Sequence, residues 1–303
     1  MTELTAETFN EICRSGPVHE ALASSEASQA ALQRKGRNRG FAALGATLVL
    51  AVLGALASPA IALFVVCFGL VGTFWVWRSG RAKAAADMKT SVLPHIAERA
   101  GLVYDAEPSD PEGFQSVQAT LFRDVNRLSF SDRFRGQIDG RDMAFYEAKL
   151  DNEVGAGSDS DVTNIFQGQI YWMPRRSPAR GVTVVVPDGK LRNIFKPKGM
   201  ERVKFDSDRE FENRFEVYST APAEAETALG SPELRARLLE LREGSPLFLQ
   251  LGETEIVIAV PGSNRYEPGD MGKKISGQDR ARRMFDDVCA SLTLAKELSR
   301  RFE

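Results

Sequence analysis

The residues whose type and spacing come nearest to chemistry are carboxylates: Asp151, Glu153, Asp159 and Asp161 fall within one short polar stretch. Clustered loop acids are the raw material of a calcium site, yet the ligand order of an EF-hand is missing, and solvated acids are the expected reading. His19 and His95 sit in different segments, so imidazole-based metal or acid–base chemistry would need carboxylates or cysteines from elsewhere. Cys13, Cys67 and Cys289 lie far apart with no CxxC pair, which implies neither zinc nor a disulfide scaffold and suits a reducing compartment. Gly269–Lys274 (GDMGKK) has the wrong spacing for a phosphate loop and no Ser/Thr after the lysine. HExxH, GxSxG and the Rossmann glycine fingerprint do not occur. No catalytic, cofactor-binding or metal-ligating residue is assigned, so no cofactor is expected.

Cations are the other candidates. Arg175, Arg176 and Arg180 form one group; Lys273, Lys274, Arg280, Arg282 and Arg283 form another. Either could meet anionic lipid, although solvated surface charge beside acidic neighbours is the commoner outcome. With a formal net charge of -2 and no recognised module, the 303-residue chain is not expected to bind nucleic acid.

The apolar residues are distributed unevenly. From Phe41 to Trp77 the chain runs 37 residues without a charge. A single helix of that length would extend about 55 Å, far beyond a hydrocarbon core of roughly 30 Å. Ser58-Pro59 supplies a bend near the middle, because proline lacks an amide hydrogen and disfavours helix in the residue before it. Residues 41–57 and 60–77 are then expected to be two arms of a transmembrane hairpin. Arg34, Lys35, Arg37 and Arg39 precede it, and Arg78, Arg81 and Lys83 follow. Basic flanks on both sides place both termini in the cytoplasm. Trp75 and Trp77 fall where an aromatic interface belt is expected. Within the arms only Thr47, Ser58 and Thr73 carry ordinary polar side chains, which disfavours a conducting role. Small residues at four-residue spacing, Ala42–Ala46 and Ala51–Ala55, would allow close packing within one hairpin or between copies.

This organisation gives a juxtamembrane helical segment over 1–40, the hairpin over 41–77 and a cytoplasmic domain over 78–303. In the first, Thr5 with Glu7-Thr8 starts a short helix and Gly16-Pro17 interrupts it. In the domain, helix is expected over Arg81–Ala100, with a boundary or kink at Pro94, and over Glu112–Arg127. Leu128–Arg135 and Asp142–Leu150 alternate apolar and polar, with Phe130, Phe134, Met143, Phe145 and Ala148 inward. Asp139-Gly140 between them signals a hairpin. Strands follow at Ile165–Met173, Val182–Val186, Arg202–Phe205, Phe215–Ser219, Leu247–Leu251 and Glu255–Val260. Helices are expected over Ala221–Gly230, Pro232–Glu243 and Asp279–Phe302. The last carries an apolar face of Met284, Phe285, Val288, Leu292, Ala295 and Leu298. Hairpin-connected strands with helices before and after predict an α+β fold with a mainly antiparallel sheet.

One stretch has a specific pattern: Glu210-Phe211-Glu212, Phe215-Glu216-Val217-Tyr218, Glu224-Ala225-Glu226 and Ser231-Pro232. It resembles the signature of a bacterial family catalogued as domain of unknown function 3137 (DUF3137). Arg133–Gly136 and Phe145–Glu147 resemble that family's earlier hairpin. The chain departs from the pattern at Thr227 and in the Asp159–Asp161 loop. The resemblance covers most of residues 40–300 and implies the same pair of membrane helices and a bacterial inner-membrane location. It implies no catalytic residue, since the family has no established activity. In the strand itself, Phe215 and Val217 are expected to face the core, and Glu216 and Tyr218 the opposite side. A partner surface of Phe215, Glu216 and Tyr218, grouped around Tyr218, is the candidate functional site. The function expected is a membrane-anchored interaction or scaffold module, with the bilayer and a protein partner or a second copy as its contacts. An enzyme of unrecognised type and a lipid-sensing domain are the alternatives.

Overall fold

The computed structural model describes residues 4–20, 22–24, 67, 82–155, 160–188, 199–242, 246–271, 273 and 275–302. The expected hairpin arms, 41–57 and 60–77, lie outside the described residues apart from Cys67. Among the described residues no helix is long and apolar enough to cross a membrane. The chain divides into two compact units, one of residues 97–265 with 288–302, the other drawn from 4–96 and 266–287.

The first unit is built on a nine-stranded antiparallel sheet. Its strands are β1 (Leu102–Asp105), β2 (Arg127–Ile138), β3 (Arg141–Val154), β4 (Asp161–Pro174), β5 (Thr183–Pro187), β6 (Glu201–Val203), β7 (Phe215–Ser219), β8 (Phe248–Leu251) and β9 (Glu255–Pro261). Their spatial order is β1-β2-β3-β4-β9-β8-β5-β7-β6. Helices Phe114–Thr120, Arg209–Glu212, Pro222–Ala228 and Pro232–Arg242 belong to this unit, as does the C-terminal part of the long helix Gly277–Arg301. The α+β class with a large antiparallel sheet is therefore as the sequence pattern requires.

The β2–β3 hairpin turns at Asp139 (φ 50°) and Gly140 (φ 77°), with Ile138 opposite Arg141. Two consecutive positive φ values are what a two-residue hairpin turn of matching twist demands, and an Asp-Gly pair supplies them at least cost. Alternation along β2 is broken by a bulge. Ser131 pairs Glu147 and Phe134 pairs Phe145, leaving Asp132 (φ 54°) and Arg133 out of register. One extra residue shifts the side-chain phase. Phe130, opposite Ala148, therefore packs on one face against Phe114 and Tyr146, while Phe134 stacks on Phe145 on the other. Both phenylalanines are inward as expected, but for this reason they serve opposite faces of the sheet.

One face of the sheet carries the main apolar cluster, in which Phe114, Val117, Leu121 and Phe122 pack on Tyr146, Leu150, Phe166, Ile170, Phe248 and Val257. On the opposite face lie Phe145, Tyr171 and Ile258, with Val288, Leu292, Ala295 and Leu298 of the long helix all buried. The helix expected over Glu112–Arg127 is only Phe114–Thr120, because β2 begins at Arg127 and claims the end of that stretch. Strand β1 was not expected; four residues after Gly101 are too few to establish a period.

The second unit begins with helix Ala6–Arg14, which is capped by Thr5 and Thr8 in a reciprocal capping box. Phe9 and Phe285 pack at 5.3 Å between ring centroids, and the Arg282 guanidinium lies 5.1 Å above the Phe9 ring. Residues 82–99 are helical without interruption at Pro94. Arg280 is fully buried and donates to the carbonyls of Pro268, Asp270 and Lys273.

One buried cation ends the long helix. Arg141, at the start of β3, donates to the carbonyls of Ser299 (3.1 Å) and Phe302 (3.2 Å) as well as to that of Pro174. The last carbonyls of a helix have no partner within it, and a cation there also opposes the helix dipole. Arg141→Met keeps the apolar stem and removes the donors. We expect a loss of about 2–3 kcal/mol in urea denaturation, with amide exchange rising first at residues 298–302.

Candidate functional site

The Phe215–Ser219 strand lies between β5 and the short edge strand β6. Val217 pairs Val185 and Val203; Tyr218 pairs Val184 and Arg202. Phe215 is fully buried against Phe211, with centroids 5.2 Å apart. Glu216 is 2% exposed, so of the three candidate residues Tyr218 alone offers partial surface. The Tyr218 hydroxyl donates to Glu216 Oε2 at 2.9 Å, and Arg202 lies 3.3 Å from Oε1. Arg202 also approaches Glu212 at 3.5 Å, and Glu212 Oε1 accepts the Phe205 amide at 2.7 Å. Glu212 of the EFE segment and Glu216 of the FEVY segment are thus tied to one arginine, and Glu212 also to the backbone beside it.

A second knot lies one turn away. Asp208 caps Arg209–Glu212 by accepting the Phe211 amide, and its other oxygen accepts Arg235 Nε at 2.8 Å. Arg235 also donates to the Leu229 and Gly230 carbonyls and stacks over Phe205. The Arg235 hydrogen bond, assisted by the Phe211 amide, holds the Asp208 carboxyl below the usual range despite partial burial.

Polar side chains also cross the sheet. Glu147, Gln169 and Tyr171 are buried on neighbouring strands. Tyr171 donates to Gln169 Oε1 at 2.7 Å; Gln169 donates to Ser291 at 3.3 Å, and Glu147 accepts the Arg265 amide. Burial, opposed by the Ser291 hydrogen bond, pushes Tyr171 up to about 12. Burial also raises Tyr146, helped by the negative charge of Glu112. Such shifts move both phenols away from neutral pH and suit fixed hydrogen-bonding roles. Pattern reasoning could not find this row, since an internal glutamine or glutamate reads as the polar phase of a half-exposed strand.

Among the described residues the loop acids form no cluster. Asp151 is buried and accepts Asn164 Nδ2 at 2.7 Å, Glu153 lies 3.8 Å from Arg127, and Asp161 is exposed at the start of β4. Asp159 lies outside the described residues. Of the second basic group, Arg280 is the buried carbonyl ligand described above and Arg282 pairs with Asp286 at 2.9 Å. Arg175 and Arg180 have a different setting. They line a cleft of about 110 Å3 with Gly181, Thr183, Leu251 and the Glu224–Ala228 side of helix Pro222–Ala228.

Residues 164–300 match the family described as protein of unknown function (DUF3137). This segment is similar to that family over somewhat less than half of the chain. It contains the Phe215–Ser219 strand, the Arg235 knot and the whole cleft. No curated protein matches the chain. Among solved structures, the mycobacterial trehalose monomycolate transport factor A, TtfA, is similar at 15% identity and a TM-score of 0.39, over 66% of this chain and 94% of that one. That likeness is too low to carry function to this chain.

Two outcomes follow for the domain. Arg202→Ala removes the cation facing buried Glu216 and should cost about 2 kcal/mol. The cost should be smaller in a Glu216→Gln background, as a double-mutant cycle of urea midpoints will show. Asp208 has a depressed folded pKa, so its contribution is complete above the unfolded value of about 3.9 and is lost as pH falls through the folded value. The stability advantage of wild type over Asp208→Asn should therefore be present at pH 7 and shrink below about pH 4.

Proposed function

We propose that the chain is a membrane-anchored binding module whose DUF3137-like domain engages a partner at the cytoplasmic face of a bacterial inner membrane. The observation that carries the anchor is the uncharged Phe41–Trp77 run, bent at Ser58-Pro59 and flanked on both sides by Arg and Lys. Support for binding over catalysis comes from how three acids of the domain, Glu212, Glu216 and Asp208, are used. Glu212 and Glu216 answer Arg202, and Asp208 answers Arg235, so these groups hold strands and turns together. Apolar side chains meanwhile stand at the sheet's margins. Val103 on edge strand β1 is 61% exposed and Val154 at the end of β3 is 65% exposed. An edge strand offers unpaired backbone groups to a partner strand as well as its side chains.

Two measurements test this reading in the native membrane. The full-length protein should stay with the membrane under alkaline carbonate, and a reporter inserted near Ser58 should lie outside the cytoplasm. A cytoplasmic reporter would remove the two-crossing anchor. A photocrosslinking residue at Val103 or Val154 should give one discrete adduct, either with a different protein or with a second copy. Absence of adducts from both positions would count against a binding role for these margins.

A further inference from the structure

The cleft owes its shape to the sheet order. β4 and β5 are consecutive in the chain but separated in the sheet by the β9–β8 hairpin. Residues 175–182 must therefore arch over the β8–β9 turn. They are pinned to it: the Arg175 amide donates to the Thr254 carbonyl (2.8 Å), the Ala179 amide to the Glu253 carbonyl (2.9 Å), and the Gly181 amide to Glu253 Oε1 (3.2 Å). Arg175 Nη1 reaches the Gly252 carbonyl at 3.2 Å. At the far end the Val182 amide donates to Thr220 Oγ1 at 2.8 Å. Gly181 has φ 70°, and a Cβ there would come within 2.6 Å of Thr220 Oγ1. The arch is thus a fixed wall. Helix Pro222–Ala228 forms the opposite wall, and Thr183 and Leu251, paired across β5 and β8, lie between.

Three charged residues line this space: Arg175 and Arg180 on the arch and Glu224 on the helix. Among the described residues none of the three forms an ion pair, with another lining residue or elsewhere. That contrasts with Glu212, Glu216 and Asp208, all of which are paired. Opposite charges on facing walls, held apart by a prebuilt gap, are complementary to a molecule carrying both signs. Guanidinium groups match the oxygens of a phosphate, and a carboxylate matches an ammonium. A bare anion would gain the arginines but meet Glu224.

We propose that the Arg175/Arg180/Glu224 cleft binds a small zwitterion with a phosphate and a primary ammonium. Its phosphate lies on the two arginines and its ammonium on Glu224. A phosphoethanolamine group has this chemistry, whether free or as a lipid headgroup.

Calorimetry on the full-length protein in a nonionic, phosphate-free detergent tests the assignment with three probes: O-phosphoethanolamine, inorganic phosphate and ethanolamine. O-phosphoethanolamine should bind roughly tenfold tighter than phosphate, and ethanolamine should show no measurable binding. Arg180→Gln should weaken O-phosphoethanolamine roughly tenfold. Glu224→Gln should abolish its advantage over phosphate while leaving phosphate binding no weaker. Both side chains are exposed, so the thermal midpoints of the variants should match wild type. Displacement of O-phosphoethanolamine by dihexanoyl-phosphatidylethanolamine would assign the site to a lipid headgroup; failure to displace would assign it to a soluble zwitterion. The proposal is overturned if phosphate binds as tightly as O-phosphoethanolamine in wild type, if neither binds, or if both variants bind like wild type.

Discussion

The insertion of the β8–β9 hairpin between β4 and β5 is the constraint on which the domain's arrangement depends. An antiparallel sheet can accept a late hairpin in its middle only if an earlier connection passes over that hairpin's end. Residues 175–182 are that connection; their amides donate to Glu253 and Thr254, and the Arg175 side chain to the Gly252 carbonyl, because those are the groups lying beneath them. The same order splits the sheet into a wing of long strands, β2 to β4, and a wing of short ones, β5 to β8. The family signature and the cleft both fall in the short wing.

Charge is handled differently in different parts of the domain. Where an acid is buried, as Glu216 is, an arginine and a hydroxyl meet it. Where backbone carbonyls would be left without partners, as at the end of the long helix, a buried arginine reaches them. Both follow from the cost of leaving polar groups dry and unmet, which exceeds the net gain of any one bond. The charges of the cleft meet no ion-pair partner among the described residues, and two of them, Arg175 and Arg180, sit on a wall whose backbone is held at several points.

The β2 bulge shows how one residue can redirect packing. Asp132 adopts a positive φ, accepts the Tyr104 hydroxyl at 2.6 Å and resets the phase of everything after it. Phe130 and Phe134, alike by spacing, serve opposite faces. A period-2 pattern carries no mark of where it will be interrupted, so this part of the core was illegible in sequence. The Asp139-Gly140 turn was legible, because its backbone requirement is local and few residue pairs satisfy it. The apolar stripe of the long helix was legible as well, since 3.6-residue spacing over many turns leaves little ambiguity.

Sequence alone determined the α+β class, the hairpin-connected strands, the uncharged 41–77 run and the family signature, because each rests on neighbours along the chain. Only tertiary structure decided that Glu216 is interior beside Phe215, that Arg202 meets Glu216, Arg235 meets Asp208 and Arg141 meets the end of the long helix, and that Arg175, Arg180 and Glu224 line one cleft. Those outcomes depend on strand order, and strand order is set by pairings between segments tens of residues apart. Local patterns report which face a residue prefers; they carry no information on which distant strand will lie beside it.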